Sequence, residues 1–200
     1  MFICPTLSQN SVRFISKGLV PALFAGFSLL SGCKDVSSPE DTNEIEVFTT
    51  VTLMLTQQGG TSDETQATIR FKDGFGHGDA LEKNDTLKIM AGATYSAELV
   101  LLNESASPAE VMSEEVKEEG VDHQVFYSYD GDNGSALTVD YADMDANHHP
   151  IGLLTTFKAG SDGNGILKVT LKHQPGLKSA TSTIATGETD VEVSFHVTIR

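Results

Sequence analysis

Tryptophan is absent from this 200-residue chain, and cysteine occurs only twice, at Cys4 and Cys33. Basic side chains are also few. Lysine and arginine number 13 against 28 aspartates and glutamates, and no cluster of cations occurs anywhere. Without a basic patch there is nothing to neutralise phosphates, which argues against nucleic acid and anionic membrane surfaces as partners. Beyond Cys33 no thiol remains, so the rest of the chain has no disulfide, no thiol nucleophile and no cysteine metal ligand. The longest apolar run, residues 18–30, falls short of the roughly 20 residues that a spanning helix needs. Nucleophile-elbow, Walker and H-E-x-x-H sequences are missing. Gly74-Phe75-Gly76-His77-Gly78 lacks the spacing of a dinucleotide fingerprint, and no helix follows it directly. Nothing in the chain calls for an enzyme.

What is present begins at the N-terminus. Arg13 and Lys17 precede the apolar run Gly18 to Leu30, which ends in Leu30-Ser31-Gly32-Cys33. A positive region, a short apolar region and a small-residue cleavage site are the layout of a secretory signal. Leu-Ser-Gly-Cys resembles the bacterial lipobox, which implies cleavage before Cys33 and lipid on that cysteine. Three parts are therefore expected: a signal peptide at 1–32, a lipidated cysteine with an acidic tether at 33–43, and a folded domain at 44–200. Removing the signal takes two cations and no acids, so the remainder is more acidic than the whole chain's formal −15.

From residue 44 onward the pattern is period two. Ile45, Val47, Val51, Leu53 and Leu55 share one phase over Glu44 to Thr56. Further strands are expected at Thr65–Phe71, Thr94–Leu102, His123–Tyr129, Ser135–Tyr141, Ile151–Phe157 and Gly165–His173. The clearest alternates Val191, Val193, Phe195, Val197 and Ile199 with Glu192, Ser194, His196, Thr198 and Arg200. Such alternation buries one face and wets the other, as in antiparallel sheets. Asp130-Gly131-Asp132-Asn133-Gly134 and Ser161-Asp162-Gly163-Asn164-Gly165 supply the turn chemistry of tight hairpins. One helix interrupts the strands. Ser107-Pro108-Ala109-Glu110 reads as a capping box, Ala109, Met112 and Val116 share a face, and Gly120 ends it. About eight strands and one crossing helix indicate a mostly β fold, an antiparallel two-sheet immunoglobulin-like sandwich.

Two clusters carry metal-ligand chemistry. Asp143-Met144-Asp145-Ala146-Asn147 has the D-x-D-x-N spacing of a calcium loop, but His148 and Leu154 stand where that loop needs glycine and glutamate. A polar loop between strands is the plainer reading. With His148 and His149 adjoining, Asp143, Asp145 and Asn147 are also a candidate zinc or copper set. Glu114, Glu115, Glu118 and Glu119 crowd the tail of the helix, where negative charge opposes its dipole by about 0.3–1 kcal/mol each. A solvated acidic face is the plainer reading here too. A cation would offset that cost, with Glu118, Glu119, Asp122 and His123 as its candidate ligands.

Several segments together resemble a known group. They are Glu46-Val47-Phe48-Thr49-Thr50-Val51-Thr52-Leu53, Leu101-Leu102-Asn103-Glu104, Ser107-Pro108, Glu114-Glu115-Val116, His123-Gln124-Val125-Phe126-Tyr127, Leu171-Lys172-His173-Gln174-Pro175-Gly176 and Gly187-Glu188-Thr189-Asp190-Val191-Glu192-Val193. The chain resembles small lipoproteins of Bacteroidota-type bacteria, often found beside TonB-dependent outer-membrane receptors. Some of those are labelled type 1 periplasmic-binding folds, which implies a bilobed α/β protein that the strand pattern does not match. The resemblance implies a cell-envelope, outer-membrane lipoprotein, non-enzymatic, that assists a receptor for nutrient or metal uptake. A metal-binding envelope protein (zinc, copper or calcium) and a structural or adhesive surface protein are the alternatives.

Overall fold

The computed structural model describes residues 46–59, 64–72, 74, 81–132 and 136–200. Cys33, the tether and most of the Gly74–Gly78 stretch lie outside them. Residues 44–200 form one compact unit. Its strands are β1 (Thr50–Gln57), β2 (Glu64–Phe71), β3 (Leu81–Asn84), β4 (Thr86–Ile89) and β5 (Thr94–Leu102). The helix α1 (Met112–Glu118) follows, then β6 (His123–Gly131), β7 (Leu137–Tyr141), β8 (Leu154–Ala159), β9 (Gly163–His173) and β10 (Glu188–Ile199).

These make a two-sheet sandwich, as the alternation predicts. The first sheet runs β3-β2-β1-β5-β8-β7 and the second β4-β10-β9-β6. Pairing is antiparallel except between β4 and β10, which run parallel. The second sheet is therefore mixed rather than purely antiparallel. The core lies between the sheets, where the inward phase of each strand meets its counterpart. Val51, Leu53, Leu55, Leu99, Leu101 and Phe157 come from the first sheet, and Leu167, Leu171, Val191, Phe195 and Ile199 from the second; all are buried. Each such side chain contributes roughly 1.5–3 kcal/mol by leaving water. The rings of Tyr127 and Phe157 meet edge to face across the layers, 5.9 Å between centroids.

The helix lies on the connection from β5 in the first sheet to β6 in the second, with Met112 and Val116 buried. The capping box does not form. Glu110 instead pairs with Asn103 in an isolated antiparallel bridge, and its Oε2 accepts a hydrogen bond from Asn103 Nδ2 at 2.9 Å. That bridge holds the chain extended until Val111, so the helix starts at Met112, four residues later than a Ser107 cap would set, and without a side-chain cap. The two glycine-rich turns also differ from expectation. Each leads from one sheet to the other, from β6 to β7 and from β8 to β9, so neither closes a hairpin. Within these crossings the Asp132 N–H donates to the Asn164 carbonyl, and the Asn164 N–H to Asp132 Oδ1.

Candidate metal centre

The calcium-like loop joins β7 to β8, and its carboxylates serve the backbone. Asp143 Oδ1 accepts the Gly152 N–H, and its Oδ2 accepts those of Leu153 and Leu154, at 2.7–3.0 Å. Asp145 Oδ1 accepts the N–H groups of Asn147 and His149. Its other oxygen lies 2.9 Å from Lys178 Nζ, and both side chains are 1 % exposed. The Lys178 ammonium also donates to the carbonyls of Gly120 and His123, so its three protons face three acceptors. Burial works to raise the Asp145 pKa, but the His149 N–H, Lys178 and the Asn147 N–H outweigh it and hold the carboxyl below its usual range. Burial lowers Lys178, and Asp145 opposes that. The geometry serves the charged pair. Asn147 and His148 are exposed, with His148 in the left-handed region at φ 63°. His149 Nδ1 stands 4.0 Å from Asp145 Oδ2. A cation here would have to displace Lys178, so the five residues form a backbone-locked turn closed by a buried lysine.

The second cluster is rebuilt by the fold rather than by sequence neighbours. Glu118 is exposed on the last helical turn, and Asp122 Oδ1 accepts the Gly176 N–H. Glu119 and His123 do come together, across the turn after Gly120. The Glu119 carbonyl meets His123 Nδ1 at 3.3 Å, and its carboxylate reaches 3.9 Å from the same nitrogen. A carbonyl accepts only, so Nδ1 carries the proton and Nε2 is left with a lone pair. That nitrogen points at two carboxylates the sequence reading missed: Glu46 Oε1 at 3.6 Å and Asp190 Oδ2 at 3.9 Å.

Each of these residues is placed by a different element. Glu46 lies just ahead of β1, His123 opens β6, and Asp190 is the extra residue where the β9–β10 register shifts between Thr189 and Val191. A bulge of this kind re-aims a side chain that strict alternation would send elsewhere. His173, opposite His123 in the β6–β9 ladder, stacks on it with centroids 4.6 Å apart and planes within 8°. His173 falls in phase with the core residues Leu167, Val169 and Leu171 of β9, and the ring it packs on is the one at the centre of this site.

Burial makes the arrangement demanding. The His123 side chain is 0 % exposed, and those of Glu46 and Asp190 are 17 % and 18 % exposed. His123 Nε2, Glu46 Oε2 and Asp190 Oδ2 are buried with no hydrogen-bond partner among the described residues. Burial pushes the Glu46 carboxyl up to about 7, with the charges of Asp190, Glu115 and Glu119 adding to it. Burial raises Asp190 to about 6. His123 moves the other way, down to about 4, because burial and then His173 disfavour an imidazolium. The 3.6 Å contact is therefore not a salt bridge at neutral pH: it joins a neutral imidazole to a carboxyl resisting ionisation.

Hydrogen bonds span about 2.7–3.2 Å, shorter than either Nε2 contact. Ligands about 2.0–2.1 Å from one tetrahedral ion stand about 3.3 Å apart, within a few tenths of an ångström of 3.6 Å. One ligand atom each of Glu46, Glu119 and His123 lies within 4.8 Å of the others, and Asp190 Oδ2 approaches His123 Nε2. The imidazole has the orientation of a metal ligand, its other nitrogen tied to a carbonyl. No family model, no curated protein and no solved structure matches this chain.

Proposed function

We propose that the chain is a non-enzymatic, lipid-anchored binding module of the bacterial outer membrane that serves an uptake receptor, and that its ligand is a divalent cation. The observation that carries the cation is the wholly buried His123 Nε2, a lone pair 3.6 Å from Glu46 Oε1 and 3.9 Å from Asp190 Oδ2, with no hydrogen-bond partner among the described residues. Buried polar groups in native folds find partners, and an ion between the imidazole and the carboxyls satisfies groups that stand too far apart to share a hydrogen bond. Support for the anchor is the Leu30-Ser31-Gly32-Cys33 sequence, and support for the receptor is the resemblance to lipoproteins found beside TonB-dependent receptors.

Calorimetric titration of zinc, copper and calcium into the purified, metal-stripped protein tests the cation. At least one should bind far more tightly than millimolar, and Asp190→Asn should weaken it. Binding no tighter than millimolar for all three would overturn this reading. Cross-linked recovery of a TonB-dependent receptor from native membranes tests the partner separately.

A further inference from the structure

The groups at this site belong to both layers of the sandwich. Glu46 leads straight into the first sheet, where the Thr49 N–H donates to the Leu102 carbonyl and the Thr49 carbonyl accepts the Phe71 N–H. His123 and Asp190 belong to β6 and β10 of the second sheet, and Glu119 closes the helix that crosses between them. Between Glu46 and Thr49 the chain is irregular, and neither Val47 nor Phe48 donates a backbone hydrogen bond among the described residues. The Phe48 ring is buried in the core. No cysteine follows Cys33, so no disulfide joins the layers.

Resting on the cation-binding reading above, we infer that the site takes an imidazole-seeking transition ion of the zinc class in preference to Ca2+ or Mg2+, and that the ion clasps the two sheets where the chain enters the domain. Ca2+ takes six to eight oxygen ligands, and Mg2+ keeps a near-octahedral set with several waters. Here the central donor is a neutral imidazole sealed from solvent, with the Glu46 and Asp190 carboxylates at its Nε2 and that of Glu119 nearer its Nδ1. Imidazole suits zinc, copper, iron and nickel, whereas carboxylate and water suit calcium and magnesium. Glu46 and His123 are separated by roughly 77 residues of chain, and so long a closed loop is one where a cross-link constrains the unfolded chain most. The ion does for this sandwich what an inter-sheet disulfide does in others, and it does so at the segment leading back towards Cys33.

The test uses the full chain, purified in detergent and stripped of metal, with Zn2+, Co2+ and Ca2+ as probes. Calorimetry should show Zn2+ binding tighter than Ca2+ by about two orders of magnitude or more. Co2+ should give the intense visible absorption of a low-coordinate site. Hydrogen exchange read by mass spectrometry should slow about tenfold or more at Thr49, whose N–H is bonded to the Leu102 carbonyl where the lead-in meets the sheet, when Zn2+ is added, an opening suppressed by ligation. Glu46→Gln should weaken Zn2+ binding about 10–100-fold and abolish that slowing, with its circular dichroism unchanged. Asp190→Asn, on the opposite sheet, should do the same. Zn2+ binding with unchanged exchange at Thr49 would overturn the clasp and leave cation binding standing. Ca2+ binding as tight as Zn2+ would overturn the ion class. No binding by any of the three would overturn the clasp and the proposed function together.

Discussion

Replacing Glu46 with glutamine should stabilise the metal-free domain at pH 8 and leave it unchanged near pH 4.5. The carboxyl titrates at about 7 in the folded protein against 4.5 when free, mainly because it is buried. A raised carboxyl favours the folded state below its unfolded value, and that advantage is lost as pH climbs through the folded value. Above pH 7 the native state must ionise a buried acid that the unfolded chain ionises freely. At about 1.4 kcal/mol per pKa unit, the penalty approaches about 3 kcal/mol. Glutamine keeps the shape and removes the ionisation. In a domain of this size that is about 6–12 °C in Tm. Urea unfolding of both proteins in a chelator, from pH 4.5 to 8.5, measures it. The two curves should coincide at the acid end and separate progressively between pH 5 and 7.5. Equal stability at pH 8, or a constant offset at every pH, would show that Glu46 is not held in this environment and would remove the electrostatic basis of the site. With saturating Zn2+ the order should reverse, because the wild type gains binding free energy that the variant largely forgoes.

Other substitutions probe the surroundings. Lys178→Met should cost about 3–5 kcal/mol in chemical denaturation, since it leaves Asp145 buried without its ion pair and frees the carbonyls of Gly120 and His123; a loss below 1 kcal/mol would mean the pair is open to water. Gly187→Ala should destabilise by about 1–3 kcal/mol, because Gly187 has φ +71° and a Cβ there would collide with the His173 carbonyl; wild-type stability in denaturant would contradict that contact. Cys33→Ala should move the folded domain from the detergent phase to the aqueous phase of a Triton X-114 partition. Retention in the detergent phase would refute the anchor.

Strands that alternate over eight or more residues were legible in advance, although the one read over Glu44 to Thr56 begins only at Thr50. β5 spans Thr94–Leu102 and β9 ends at His173, as the pattern indicates, and the inward phase of β10 is the row of Val191, Val193, Phe195, Val197 and Ile199. The strands β3 and β4 were not legible. Each is four residues long, too short to display a period, and β3 has no buried residue. The glycine-rich turns announce their backbone conformation but not which sheet receives the next strand, so crossings look like hairpins. The metal centre was half legible. The helix tail brought Glu119 and His123 forward, but Glu46 and Asp190 are distant in sequence, and in each the side chain falls in the outward phase of its strand. A bulge at Asp190 and an irregular lead-in at Glu46 undo that phase, and neither has a sequence signature here. His173 in a core phase was the one visible hint. Asp143 and Asp145 were correctly seen as a polar loop, while the lysine that closes it, Lys178, was not visible because it comes from the β9–β10 connection.

β10 sits inside its sheet, between β4 and β9, and carries the densest row of core side chains. Its neighbour β4 lies roughly 110 residues earlier in the chain, and that parallel pairing is slow to close because little local structure precedes it. Until Glu188–Ile199 arrives, β4 and β9 border an unfilled apolar slot with two open strand edges, and the Asp190 ligand is missing. Such a slot accepts an equivalent strand from another molecule. A chain without β10 is thus most exposed to strand exchange, and a peptide of residues 188–199 supplied in trans should rescue it.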